Sequence, residues 1–534
     1  MYKTKSKKTK QNKNSKHSKH SKHSKHSKHS KHSKHSKTKI TITSKSKLKT
    51  KKIKSNAESK LGSKIGSKEG RESVSRIENN LKLYENGSRT RILIMPNRYE
   101  TSTATLYFYF KVGSKHEKPQ HFGISHFIEH MIYKGSKHYP NYLNITKIFD
   151  SNGISFNAFT SKDMTAYFYK FLSTLDNVEL ICKITADMLF NPLMLEKEIN
   201  PERNVIIQEL KDNIDDIDEY INDVLETKIL SGHPLANPII GNINSLNNIT
   251  RSDLIAYHNK YYNPSNLLIS FSGKMENSYM ECFNKYFSNA SLSKSFSNFN
   301  SNLNNSKISI FSPLSLDIQR PMEIIPYTDI DIDTSSKCKI DCIPKSLKQD
   351  HVHIVFKTAG YLDPNILIYK LLANILGGNM SSRLFIVLRE KLGLVYTIKC
   401  SLSNYEEVGY FDIITQCEHK NTIKCIEHII KQLKILIKIG INTKELEENK
   451  KNYNDVFKMQ FDDIDFENEY YSKQLLFNKK PETLSNRILK ISSITENDIN
   501  TISQQLFNFH KMHIITFGNI KEHNIRACIN RINV

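Results

Sequence analysis

The chain of 534 residues contains no tryptophan, an absence that excludes nothing by itself. Other absences exclude more. No apolar run reaches the roughly 20 residues a membrane-spanning helix needs, and the N-terminus lacks the apolar stretch of a secretory signal. Cys338 and Cys342 have no matching second pair, so the spacing of a zinc knuckle is incomplete. The other cysteines (Cys182, Cys282, Cys400, Cys417, Cys425 and Cys528) are scattered, which fits free thiols in a reducing compartment. Between Met1 and Ala57 there is no acidic residue and no arginine, against 21 lysines. The formal net charge is +24, so 24 − 21 leaves +3 for everything after Ala57. The basicity belongs to the tail, and charge gives no reason to expect nucleic-acid binding by the rest.

Within that tail Ser-Lys-His repeats seven times from Ser15 to His35. A period of three keeps no helical face and offers nothing apolar to bury, so residues 1–78 are expected to be a disordered Lys/Ser/His-rich tail. Three roles compete for it: none at all, a polybasic arm touching nucleic acid or an anionic surface, and weak metal binding by the repeated histidines. A mitochondrial transit segment would favour arginine and an amphipathic helix. An intracellular, cytoplasmic location is expected, with the mitochondrial matrix as the alternative.

What the chain does contain is His126-Phe127-Ile128-Glu129-His130, inside a segment that reads as a helix from Gly123 and Ser125 to Gly135. Residues four apart lie one turn above each other, so His126 and His130 aim at one point, where two neutral imidazoles can hold zinc. Glu129 lies on the adjoining edge, placed to take a proton from a water that the metal activates. Two surface histidines on an amphipathic helix would give the same letters. A third ligand is needed, and Pro201-Glu202-Arg203-Asn204-Val205-Ile206-Ile207-Gln208-Glu209-Leu210 offers one. Glu202 and Glu209 are seven apart and share a helix face; Pro201 suits a first turn. Glu209 can close the site, and Glu202 can orient a ligating histidine through its other ring nitrogen.

His126-x-x-Glu129-His130 followed by Glu202-x6-Glu209 resembles the pitrilysin and insulinase family of zinc metallopeptidases. The resemblance implies one zinc per chain held by His126, His130 and Glu209, with Glu129 as the base and Glu202 supporting the site. Phe156-Asn157-Ala158-Phe159-Thr160 resembles the family's edge strand, with Asn157 and Ala158 pairing with the substrate backbone; Asp163 stands where the family commonly has Glu. Gly377 to Leu384, leading into Leu388 to Tyr396, resembles its later Arg/Tyr pair. Arg389 and Tyr396 would then bind a substrate carbonyl and the developing oxyanion, although a surface cation and a packing aromatic would read alike. The likeness runs from about Thr90 to Gly518.

An α+β fold is expected. Two homologous domains, each an antiparallel-rich sheet with helices on one face, would span 79–290 and 348–534, joined by a Ser/Asn-rich linker at 291–347. Strands are read at Ile92–Met95, Ala104–Phe110, Ile154–Thr160, Thr165–Phe171 and Leu267–Phe271, with long helices at about Val178–Leu189 and Leu195–Ile214. The second domain opens at His351–Phe356 and closes at His513–Gly518. Its helix at Ile366–Leu376 stands where the metal helix stood but carries no such motif, so only the first copy kept the metal.

The function these readings imply is a zinc metalloendopeptidase acting on extended or unfolded peptides. Because the family's chamber needs four such domains, the resemblance points to the processing-peptidase branch and to a homodimer, or a heterodimer with a related chain, in which Arg389 and Tyr396 serve the partner's zinc site. The alternatives are a catalytically silent scaffold or partner subunit, and a tether to nucleic acid or membrane built on the basic tail.

Overall fold

The computed structural model describes residues 81–96, 101–288, 312–314, 338–477 and 479–533. The expected tail at 1–78 and most of the expected linker lie outside them. In the first half the elements run β1 (Lys82–Glu85), β2 (Arg91–Pro96), β3 (Thr103–Phe110), α1 (Ile124–Tyr133), α2 (Tyr142–Ser151), β4 (Ser155–Thr160), β5 (Thr165–Leu172), α3 (Leu175–Phe190), α4 (Glu196–Asp215), α5 (Ile217–Ile229), α6 (Ile243–Asn248), α7 (Arg251–Tyr261), β6 (Leu267–Gly273) and α8 (Asn277–Phe287). After β7 (Ser312–Leu314) come β8 (Lys339–Pro344), β9 (Asp350–Ala359), α9 (Ile366–Ala373), β10 (Val395–Asn404), β11 (Val408–Cys417), α10 (Thr422–Ile439), α11 (Thr443–Gln460), α12 (Ile464–Leu476), α13 (Leu484–Ser493), α14 (Glu496–Leu506), β12 (His513–Gly518) and α15 (Glu522–Arg531). Among the described residues no helix is long and apolar enough to cross a membrane. All eight cysteines are free thiols.

Two mixed sheets result. The first has the order β4-β5-β3-β6-β2-β1-β7 and the second β10-β11-β9-β12-β8. In both, the fourth and fifth strands of that order pair in parallel, β6 with β2 and β12 with β8, while the preceding pairs are antiparallel. Five strands of each half thus repeat one topology, and this agrees with the internal duplication read from sequence. The repeat also moves a boundary. Residues 339–344, read as linker, form β8, the counterpart of β2. Lys339-Ile340-Asp341-Cys342-Ile343-Pro344 is short, ends in proline and alternates only weakly, so nothing local marks it as a strand; its pairing with β12 does.

Strand alternation sorts side chains onto two faces. On β3, Ala104, Leu106, Phe108 and Phe110 enter the core shared with α1, α3 and α8, where Phe127, Ile128, Met131 and Ile132 of α1 are buried. Tyr107 and Tyr109 point the other way. That second face, with Leu93, Met95 and Leu268, packs on Tyr471, Leu475 and Leu476 of α12, a helix of the other half. Asn468 Nδ2 donates to Ser270 O at 3.1 Å, and Ser472 Oγ donates to Ser270 Oγ at 2.7 Å. The favour is returned: Ile221, Leu225 and Ile229 of α5 in the first half cover Val355, Tyr410, Ile515 and Phe517 on the second sheet. Each half supplies helices to one face of its own sheet and lends one helix to its neighbour's other face.

Pro201 sits inside α4 rather than in its first turn. The helix begins a turn earlier because Glu196 and Glu198 suit its positive N-terminal end. Proline there removes the N–H that would reach the carbonyl of Lys197, on an exposed side of the helix.

Candidate metal centre

Helix α1 is held at both ends. Gly123 starts it at φ 94°, and a Cβ there would come within 2.2 Å of Ile240 O. Gly135 follows it at φ 141°, where a Cβ would meet Pro140 O at 2.6 Å. Both turns therefore require glycine. The fully buried Glu117 accepts from Gly123 N at 2.7 Å and Ser125 N at 2.9 Å, filling the open donors of the first turn. Arg203 of α4 lies 5.5 Å over the Phe127 ring and donates to Ile249 O at 2.9 Å, locking α4 against α1.

This packing brings His126, His130 and Glu209 together, with one ligand atom from each lying within 4.8 Å of the others. The two Nε2 atoms are 3.2 Å apart. Glu209 Oε1 is 3.7 Å from His126 Nε2 and Oε2 is 3.6 Å from His130 Nε2. Ligands at tetrahedral zinc distances would stand about 3.3 Å from one another, so the cluster fits that ion with little movement. The two rings differ in their electrostatics. His130 Nδ1 donates to Glu202 Oε1 at 2.9 Å, leaving a lone pair on Nε2. Burial, followed by the nearby His130, pushes His126 down to about 3, so its ring is neutral. Burial opposes charge on His130, but the bond to Glu202 and the carboxylates of Glu129 and Glu209 outweigh it and raise it. The buried Nδ1 of His126 has no hydrogen-bond partner among the described residues. When both rings are neutral with the proton on Nδ1, their Nε2 lone pairs and the Glu209 carboxylate face one point, and this N, N, O donor set suits zinc.

Glu129 stands beside the cluster without joining it. Thr160 Oγ1, at the end of β4, donates to its Oε2 at 2.5 Å. Burial raises Glu129, with Thr160 and His130 opposing. Glu202 is buried and also pairs with Lys134, the C-cap of α1. Burial works against its charge, yet the bonds from His130 and Lys134 hold it below the usual carboxylate range.

The strand carrying Thr160 is the exposed edge of the first sheet. Asn157 and Ala158 lie on it; Tyr133 Oη donates to Asn157 O at 3.1 Å, and Asn157 Oδ1 accepts from Ala158 N at 2.8 Å. Asp163, in the following turn, is buried, with one oxygen unpartnered among the described residues. Arg389 and Tyr396 are elsewhere. They lie in the second half, with the Arg389 guanidinium 4.8 Å over the Tyr396 ring, which is 76% exposed. Among the described residues, neither bonds to the metal cluster.

Three residues of the site escaped the sequence reading. Lys134 follows His130 by four and so shares its face, a signal that was available. Glu117 and Thr160 act across loops, and no local pattern marks them.

Glu117 carries a testable consequence. Burial lifts its carboxyl from 4.5 to about 7, against the two backbone donors. Between those values the folded chain holds a proton that the unfolded chain has lost, so stability falls as pH rises through that window. Glu117→Gln lacks the titration. Relative to the variant, the wild type should lose on the order of 3 kcal/mol between pH 4.5 and 8, read from urea midpoints. Parallel curves would show that Glu117 is charged throughout.

Known proteins resemble this chain over much of its length. Residues 92–243 match the family described as "Insulinase (Peptidase family M16)", and residues 248–453 match "Peptidase M16 inactive domain". An uncharacterized zinc protease of Bacillus subtilis, YmxG, is 28% identical over 423 residues, 79% of this chain and 94% of that one. An uncharacterized zinc protease of Rickettsia felis is 31% identical over 325 residues, 61% of this chain and 69% of that one. In fold, the chain is similar to a crystal structure of a protease from Helicobacter pylori, with TM-score 0.68, 20% identity and coverage of 82% of this chain and 100% of that one. The chain belongs to the insulinase family of peptidases, family M16.

Proposed function

We propose that this chain is a zinc-dependent endopeptidase that cleaves extended or unfolded peptides, using the residues of the first half. The observation that carries the reading is the meeting of His126, His130 and Glu209 with Glu129 alongside but outside the ligand set. The zinc-protease names of the B. subtilis and R. felis relatives point the same way. A zinc ion held by His126, His130 and Glu209 would supply Lewis acidity toward the peptide carbonyl and toward water.

The chain's own groups do the rest. Glu129 takes the proton of the attacking water and passes it to the leaving amine. Thr160 holds one oxygen of that carboxylate and leaves the other for the proton. Glu202, tethered by Lys134, fixes the ring of His130. The substrate adds as a strand along β4, and Asn157 and Ala158 present backbone groups to it. Arg389, half-buried, and Tyr396, exposed, lie in the second half and act on the site of a second copy in a homodimer.

Metal analysis tests the first step. Purified chain is expected to carry about one zinc, and Glu209→Gln to lose it on dialysis while keeping its circular dichroism spectrum. A wild-type chain that stays empty in micromolar zinc overturns the proposal.

A further inference from the structure

Four cations crowd the helices of the second half. Lys370 lies on α9, Lys473 on α12, Lys479 just beyond α12 and Arg487 on α13. Helix α9 packs against both α11 and α13. Tyr361, just past β9, gathers two of the cations: Lys473 Nζ is 5.5 Å and Lys479 Nζ 5.4 Å from its ring centre. Arg487 is 4% exposed, lies 4.5 Å over the Phe457 ring and donates to Tyr453 Oη at 2.8 Å. Its Nε is buried with no acceptor among the described residues.

Among the described residues, Lys473 has two carboxylates nearby, Asp163 and Glu469, neither ion-paired to it. Glu482 is the one carboxylate ion-paired into the group among the described residues, and it is divided between Arg487 at 3.5 Å and Lys490 at 2.6 Å. Lys370, Lys473 and Lys479, all half-buried, have no ion-pair partner among the described residues. Like charges gathered away from water repel with little screening. Burial, followed by the charges of Arg487, Lys473 and Lys479, pushes Lys370 down to about 7.

We propose that Lys370, Lys473, Lys479 and Arg487 form a binding site for a phosphate-bearing anion, sharing no residue with the metal cluster. A carboxylate would balance one of the three unpaired lysines. A phosphate carries nearly two charges and several acceptor oxygens on one centre, which suits separate ammonium donors together with the unused Nε of Arg487. Binding returns the proton to Lys370, whose facing charges are Arg487 from α13, Lys473 from α12, and Lys479 and Glu482 from the turn between them.

The test titrates the zinc-loaded full chain with inorganic phosphate at pH 8, following melting temperature and calorimetric heat, with acetate and chloride at matched ionic strength as controls. The expected result is a saturable rise with phosphate alone, proton uptake seen as buffer-dependent heat, and at least tenfold weaker binding in Lys370→Met. Lys479→Gln, altering a partly exposed side chain, gives the same comparison if the first variant fails to fold. Removing the metal with a chelator should leave phosphate binding unchanged. The proposal is overturned if acetate or chloride acts equally, if a folded variant binds as the wild type does, or if chelation abolishes binding, which would put the phosphate on the metal instead.

Discussion

Glu129→Gln is expected to lower kcat for peptide hydrolysis by about 10³-fold while leaving zinc content and KM unchanged. The prediction rests on position. Glu129 lies next to His130 in sequence, but its carboxylate is taken up by Thr160 while Glu209 reaches both Nε2 atoms. Glutamine has the same shape and can still accept from Thr160, so the fold around the site is kept and the proton acceptor is lost. Steady-state kinetics together with metal analysis decide the matter. Loss of zinc from the variant would make Glu129 a ligand; full activity would remove it from the chemistry altogether.

The second large effect is a recovery. Neither Glu129→Gln nor Arg389→Ala should hydrolyse peptide at a useful rate alone, yet mixing them after subunit exchange should restore about one quarter of wild-type activity. Half of the dimers in an equal mixture pair one variant with the other, and each of these has one intact site of two. The expectation follows from the placement of Arg389 and Tyr396, which stack on each other in the second half with Tyr396 largely open to solvent. Mixed dimers demonstrated by size and affinity tags, yet without activity, would show that the pair does not serve a partner's site. Arg389→Ala with undiminished activity would show that the guanidinium is an ordinary surface cation.

Much of this site is written in local spacing. Four residues separate His126 from His130 and seven separate Glu202 from Glu209, and helical periodicity turns each number into a shared face. The duplication was legible for a similar reason, since strands such as Leu267–Gly273 and His513–Gly518 are dense in branched and aromatic residues. The features that escaped depend on partners far along the chain. Strand β8 is a strand because β12 lies beside it. Thr160 belongs to the site because the edge of the sheet passes α1, and Glu117 because a loop folds back onto a helix start. Pro201 misled because it sits on the exposed side of the helix, where the backbone groups it leaves unpaired can turn to water.

The exchange of helices between the halves reaches beyond architecture. As the polypeptide leaves the ribosome, Leu93, Met95, Tyr107 and Tyr109 emerge well before their cover, residues 464–476. Until that helix arrives, the face of the sheet turned away from the metal helix is uncovered apolar surface. A product cut short before Ile464 would keep that face bare.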